Sequence, residues 1–395
     1  MEHLPRDIIY VICRFLDNQS IYVMNLINKS ISRKITYYMV YNFTYDVKKI
    51  MVDMLLEKCI NEGRQQKFHF EYIRKIKTND MKVLKIFGGR ITHLTYKIKK
   101  NKKMENIDEM KNVIYLSIFD DTKEHTCLDL LGYSNLRELV FGYKFDRPIK
   151  NINCVSLAEL HFFDQFNGSI KSLNCPNLIK LRFGKYFNRP VENLNCPNLK
   201  ELIFGKHFRQ PIEKLNCPNL EKVVFGKYFN QSIEKMICYN LEEVVFGEYF
   251  DGSIEKMNCP NLKKVVFGKY FNQSIEKMIC YNLEEVVFGE YFDGSIEKMD
   301  CPNLRKVTFG KYFNKPVEEW NCCKLEKLKF GEYFNQPVNK LNCPELIELV
   351  FGKDFRQPIK ELNFTNLKKI VYNNEIYIAD DILQKSYEYS GDYPE

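Results

Sequence analysis

Ten of the fourteen cysteines stand 21 residues apart: Cys154, Cys175, Cys196, Cys217, Cys238, Cys259, Cys280, Cys301, Cys322 and Cys343. Thiols can hold metals, form disulfides or act as nucleophiles. Metal ligation needs clustered ligands such as C-x-x-C, and that spacing does not occur; Cys322 and Cys323 form one adjacent pair rather than a ligand set. Disulfides belong to oxidising compartments. Residues 1–7, Met-Glu-His-Leu-Pro-Arg-Asp, lack the uninterrupted apolar core of a secretory leader, and no run of 18 apolar residues suggests a membrane span. The expectation is a cytoplasmic chain whose periodic cysteines stay reduced and pack as small hydrophobes. The six histidines are scattered, and no Ser/His/Asp set, carboxylate pair or phosphate loop stands out. No catalytic residue, metal or cofactor is expected.

A fixed interval of this kind marks a stacked repeat. Phe-Gly keeps the same register from Phe141-Gly142 to Phe351-Gly352, losing its glycine only at Phe162-Phe163. One unit reads from Asn219 to Cys238, with constant apolar positions Leu220, Val223, Phe225, Phe229, Ile233, Met236 and Cys238. Helical spacing fails, because glycine and turn residues fall inside every period. The opening L-x-x-L-x-F is similar to the strand of a leucine-rich repeat, whose units run 20–29 residues. Each coil is therefore read as a short strand at 220–225, a turn at 226–231, a second extended piece at 232–236 and a Cys-Pro-Asn corner. The glycine after Phe225 is expected to supply a positive φ in the turn. The fold class is mainly β: a leucine-rich-repeat-like solenoid of 21-residue coils behind a small N-terminal helical module. A lone coil cannot close a core, so stacking must stabilise the array.

The columns between the inward residues carry charge. After the glycine the order is Lys227, Glu248, Lys269, Glu290, Lys311, Glu332, Lys353, and the outward strand positions alternate in the same way. Opposite charges across neighbouring strands stabilise register. One outward column is largely apolar: Val140, His161, Arg182, Ile203, Val224, Val245, Val266, Val287, Thr308, Lys329, Val350 and Val371. Its run of Ile203, Val224, Val245, Val266, Val287 and Thr308 is the expected target-binding strip; strand propensity alone is the competing account of its valines. Residues 226–267 and 268–309 differ at three positions only, Asn258/Asp300, Lys263/Arg305 and Val266/Thr308. An array that grows by copying suits a modular binding surface better than a catalytic site.

The domain reading is a helical module at 1–45, a helical linker at 46–79, degenerate coils at 80–132, the regular array at 133–371 and a cap and tail at 372–395. Within the degenerate part, Ile91-x-x-Leu94-x-Tyr96 and Val113-x-x-Leu116-x-Ile118 keep the coil pattern. The tail is expected to be helical over 379–387. The net charge of +8 lies entirely in residues 1–125, which hold 23 Lys+Arg against 15 Asp+Glu, while the rest holds 36 of each. The array is thus not a basic nucleic-acid track. Residues 72–103 carry eleven basic residues and one acidic. They read as a solvated loop, with phosphate contact as the alternative.

Leu4-Pro5-x-Asp7-Ile8-Ile9-x-x-Ile12-x-x-Phe15-Leu16, followed by Met24-x-Leu26-x-Asn28-Lys29, resembles an F-box. The recurring Phe187-Asn188-Arg189-Pro190-Val191 and Phe334-Asn335-Gln336-Pro337-Val338 resemble FNIP repeats. Together they resemble the F-box and FNIP-repeat proteins of giant DNA viruses and social amoebae, over roughly residues 1–45 and 120–371. That resemblance implies a non-catalytic adaptor. Leu4, Pro5, Ile8, Ile9, Ile12, Phe15 and Leu16 would dock on the Skp adaptor of a cullin-RING ubiquitin ligase, and the repeats would hold a protein target. Outside the ligase the chain would be a monomer. The alternative is a plain scaffold or decoy without a ligase.

Overall fold

Alternation along each short strand sends every second side chain inward, and the 21-residue offset places each of them on its counterpart in the next coil. The computed structural model describes Tyr45–Asp46 and, with short interruptions, residues 75–378. The F-box-like residues Leu4, Pro5, Ile8, Ile9, Ile12, Phe15 and Leu16, the basic run 99–103 and the tail from 379 lie outside the described residues. The chain divides into two units, residues 1–168 with 172–178, and residues 169–171 with 179–395.

The first unit contains β1 (Tyr45–Asp46), β2 (Lys75–Thr78), β3 (His93–Ile98), β4 (Tyr115–Asp120), β5 (Leu128–Asp129), β6 (Glu138–Phe141), β7 (Ile149–Lys150) and β8 (Glu159–Phe162). The strands β1, β2, β3, β4, β6 and β8 pair in that order, all parallel. β5 and β7 form a separate parallel pair. Two expectations change here. Lys75–Thr78 and Tyr45–Asp46 fall at the edges of the supposed helical linker and helical module, yet both are strand. The basic stretch 72–103 is not simply a solvated loop, because β2 and β3 lie within it and Lys97 pairs with Asp121 at 2.7 Å.

The second unit is a ladder of ten parallel strands, each paired at an offset of 21: β9 (Lys180–Arg182), β10 (Glu201–Ile203), β11 (Lys222–Val224), β12 (Glu243–Val245), β13 (Lys264–Val266), β14 (Glu285–Val287), β15 (Lys306–Thr308), β16 (Lys327–Lys329), β17 (Glu348–Val350) and β18 (Lys369–Tyr372). An antiparallel strand, β19 (Glu375–Ile378), closes back on β18. This strand lies within the expected cap, and the helix expected over 379–387 falls outside the described residues.

Around each coil the chain bends through three hydrogen-bonded turns. In one coil they are closed by Leu220 N–H to the Cys217 carbonyl (3.1 Å), Phe229 N–H to Gly226 (3.1 Å) and Met236 N–H to Ile233 (2.9 Å). The second extended piece expected at 232–236 is therefore a turn. Its inward residues still pack, since Ile233 and Met236 are buried. The core is built of stacked columns. Phe225 lies 5.7 Å from Phe246, Phe229 lies 6.0 Å from Phe250, and within a coil Phe225 and Phe229 stack at 4.1 Å. Offset-stacked rings at such separations contribute beyond the area they bury.

The glycine column has a different cause from the one expected. None of the glycines from Gly205 to Gly352 takes a positive φ. A Cβ on Gly226 would instead collide with the carbonyl oxygen of Gly205, and the same collision recurs at each step to Gly352. Glycine is required because the turns of adjacent coils approach backbone to backbone.

The cysteines pack at the corner as expected. Burial pushes the Cys238 thiol up to about 11 and those of Cys259 and Cys280 up to about 12, which suppresses the reactive thiolate. One pair departs from the reduced-thiol expectation: Cys322 and Cys343 are joined as a disulfide between adjacent coils, with Cα atoms 5.3 Å apart. Cys323 is exposed and free.

Candidate functional site

The outward face of the β9–β18 sheet presents two side chains per strand. The first is charged and alternates in sign. Lys222 reaches Glu243 at 2.7 Å, Lys264 reaches Glu285 at 3.2 Å, and Lys180 reaches Glu201 at 2.6 Å. The second is the apolar strip. Ile203, Val224, Val245, Val266, Val287 and Thr308 are brought into direct register, each half-buried, each across from the next. The strip faces outward as the alternation demanded, and every one of its side chains is partly exposed. Exposed Arg182 and Lys329 stand at its two ends.

Beyond the glycine turn lies a second exposed column that the sequence reading passed over. Tyr186, His207, Tyr228, Tyr249, Tyr270, Tyr291, Tyr312 and Tyr333 form a continuous aromatic ladder with centroids 4.8–5.3 Å apart. Their faces cover one another, so solvent meets mainly ring edges. The alternating Lys and Glu after each glycine flank this ladder. Lys227 pairs with Glu248 at 2.5 Å, Lys269 with Glu290 at 3.0 Å and Lys311 with Glu332 at 3.2 Å. Lys269 Nζ also lies 5.6 Å from the rings of both Tyr270 and Tyr291, within cation–π range. The signal was present in the recurring Gly-Lys-Tyr-Phe and Gly-Glu-Tyr-Phe, where the Tyr keeps the period without a gap from Tyr228 to Tyr333.

Two amide ladders bind coil to coil. The Asn230 side-chain oxygen accepts from the Asp251 N–H at 2.9 Å, Asp251 from Asn272 at 2.8 Å, and Asn272 from Asp293 at 2.8 Å. At the cysteine corner Asn240 Nδ2 donates to the Pro218 carbonyl at 3.1 Å and Asn261 Nδ2 to Tyr239 at 2.8 Å. These side chains satisfy turn groups that no strand ladder reaches, so they are committed to structure.

Among the described residues one group has the geometry to hold a cation. Ligand atoms of Glu138, Glu159 and His161 lie within 4.8 Å of one another. His161 Nε2 already stands 3.1 Å from Glu159. Burial, and then the neighbouring Glu159 carboxylate, push the Glu138 carboxyl up. A shallow groove edged by Gly89, Asn112 and Asn135 offers no comparable set; its amides are used, Asn112 Nδ2 donating to the Gly89 carbonyl at 2.7 Å. No described helix is long and apolar enough to cross a membrane.

No family model matches the chain, and no curated protein matches it. Among solved structures it is similar to CroV588, described as a novel circular leucine-rich-repeat protein. The two share 25% identity at a TM-score of 0.56, over 76% of this chain and 51% of that one. The chain thus spans about half the length of that structure. An internalin, InlF, from Listeria monocytogenes aligns at 16% identity and a TM-score of 0.42, over 72% of this chain and 81% of that one. A leucine-rich-repeat protein from Bacteroides ovatus aligns at 13% identity and a TM-score of 0.19, over 76% and 75%. The first likeness and the strand ladders together establish a mainly β, leucine-rich-repeat-like architecture.

Proposed function

We propose that this chain is a non-catalytic adaptor whose repeat array docks a protein target while its N-terminal residues engage a ubiquitin ligase. The observation that carries the docking half is the in-register outward strip from Ile203 to Thr308. It is a band of partly exposed, largely apolar side chains on the outward sheet face, bordered by paired charges. Burying such a band against a partner is favourable at about 25 cal/mol per Å² of apolar surface, and the paired charges beside it mark a polar rim. The ligase half rests on the F-box-like sequence alone: Leu4, Pro5, Ile8, Ile9, Ile12, Phe15 and Leu16 would contact the Skp adaptor. Ubiquitin transfer then follows from proximity, and this chain performs no chemistry.

Co-purification of the full chain with a Skp adaptor tests the ligase half. Retention of the adaptor, lost on Ile8→Asp/Phe15→Asp, supports it. Absence of the adaptor from the wild-type chain leaves the scaffold reading in its place. For the docking half, Val245→Asp should abolish target capture, and circular dichroism with the unfolding midpoint measured alongside separates lost docking from lost fold, because Val245 is only partly exposed.

A further inference from the structure

On the first outward column of the β9–β18 ladder, Lys and Glu alternate from Lys180 to Lys369 with one break. At β15 and β16 Lys306 and Lys327 fall directly across from each other, and in the next column Thr308 faces Lys329. The strands on either side carry valine at that second position, Val287 and Val350. Lys306, Lys327 and Lys329 are all exposed. The nearest carboxylates are already held: Glu285 by Lys264 at 3.2 Å, and Glu348 by Lys369 at 2.6 Å, with Lys327 further off at 3.4 Å. Among the described residues no carboxylate lies within ion-pair distance of Lys306 or Lys329. Like charges facing across strands are destabilising. Here three gather at the very end of the apolar strip, on strands whose neighbours pair Lys with Glu.

We propose that Lys306, Lys327 and Lys329 form an anion-binding subsite, and that the segment docking on the strip is an extended peptide. It would be apolar along Ile203–Thr308 and rich in carboxylates where it reaches these lysines. The inference rests on the docking reading above and gives its partner a chemistry. The strip covers five coil steps, from Ile203 to Thr308. At ~4.8 Å per step this is roughly 24 Å, the reach of about seven extended residues. Exposed Arg182 at the far end leaves room for a second acidic position. A polynucleotide fits poorly. It needs a continuous cationic track, whereas the middle of this strip is valine and residues 126–395 hold equal numbers of acidic and basic side chains.

The test is selection of a random octapeptide display library on the immobilised full chain. The same selection is run on Lys306→Gln/Lys327→Gln/Lys329→Gln and on Val245→Asp. Peptides enriched on the wild type should carry an apolar run with Asp or Glu at one end. A synthetic copy should bind about tenfold more tightly than its Asn/Gln counterpart, and that gap should close on the triple-lysine variant and in high salt. Enriched peptides without acidic bias, or a tenfold gap that persists on the triple variant, would overturn the subsite. If those peptides were still lost on Val245→Asp, the docking strip itself would stand. Enrichment that survives Val245→Asp sinks the strip and the subsite together. Tighter binding of a twenty-nucleotide poly-dT, lost on the triple variant, would assign the lysines to nucleic acid and overturn the proposal. The substituted lysines are exposed, so unchanged thermal midpoints separate lost binding from lost fold.

Discussion

Phe-Gly occurs in both units, and the glycine answers to different neighbours in each. In the first unit a Cβ on Gly142 would meet the ring of Phe119, a side chain able to swing aside. One period later the position is occupied outright by Phe163, which is exposed. In the second unit a Cβ on Gly268 would meet the carbonyl of Gly247, which belongs to the backbone of the adjacent coil and has nowhere to go. The strands explain the contrast. β6 and β8 run four residues and include the Phe, and Gly142 N–H still donates to Ile118 at 2.8 Å. The ladder strands from β9 to β17 stop at three residues, so the turn begins earlier and brings glycine against glycine. A motif that looks constant in sequence is thus a strict requirement in the regular coils and a tolerance in the older-looking ones.

The sharpest way to break this comparison is to put the same methyl in both places. Gly268→Ala should cost ~4 kcal/mol or more, the range in which a backbone clash has no relief. Gly142→Ala should cost about 1–3 kcal/mol, as overpacking against a movable ring does. Paired urea titrations of the two variants measure the gap, and equal losses would remove the distinction between the units.

The next largest effect belongs to the first unit alone. Asp120 and Arg147 are buried there and form an ion pair; Arg147 Nη2 donates to Thr122 Oγ1 at 2.7 Å, and Thr122 donates twice to Asp120. Burial pushes the Asp120 carboxyl up, but the hydrogen bonds from Arg147 and Thr122 outweigh it and hold the carboxyl below its usual value. A depressed carboxylate contributes stability above its unfolded pKa that is lost as pH falls through the folded one. Arg147→Met removes the partner and should cost about 3–5 kcal/mol at pH 7. The two hydrogen bonds from Thr122 remain, but burial is no longer offset by Arg147, so the Asp120 carboxyl should then rise. The deficit should shrink on acidification, whereas the wild type loses stability. Chemical denaturation at pH 7 and pH 4 reads the two slopes.

These cases also show what was legible beforehand. The inward columns were, because a fixed offset of 21 is enough to say which residue lies on which: Leu220, Val223, Phe225, Phe229, Ile233, Met236 and Cys238 are all buried. The charge ladders followed from the same offset. What the offset does not contain is distance. It marked the recurring glycine without showing that a carbonyl stood above it, so the conformational explanation was chosen over the steric one. It marked Asn230 as a turn residue without revealing that its side chain reaches the next coil. Tyr228 was overshadowed by Phe229, whose burial is the more familiar signal. The Asp120–Arg147 pair spans 27 residues and keeps no period, so nothing in the spacing joined its members.

Asn272→Ala tests the amide ladder at smaller scale. It removes the acceptor for the Asp293 N–H and the loss should be about 1 kcal/mol, one net hydrogen bond. Asn272→Asp keeps the acceptor but stands between Asp251 and Asp293, so it should lose less than the Ala variant and recover in high salt as carboxylate repulsion is screened. A full loss in the Asp variant that persists in high salt would mean that the amide nitrogen, rather than the oxygen, matters.

The smallest effect returns to charge. Both units carry one break in alternation on the same outward column: Glu138 across from Glu159 in the first, Lys306 across from Lys327 in the second. In the first, His161 Nε2 stands 3.1 Å from Glu159; in the second, Glu348 stands 3.4 Å from Lys327 but is shared with Lys369. Glu138→Lys would give Glu159 an opposite charge across the strand pair and should raise stability by a few tenths to 1 kcal/mol at neutral pH. Lys327→Glu does not make the same repair in the second unit, because it gives Lys306 an opposite charge but sets a carboxylate across from Glu348. There the melting temperature should not rise, while binding of acid-tailed peptides should weaken. A break that carries function is separated in this way from one that is merely tolerated.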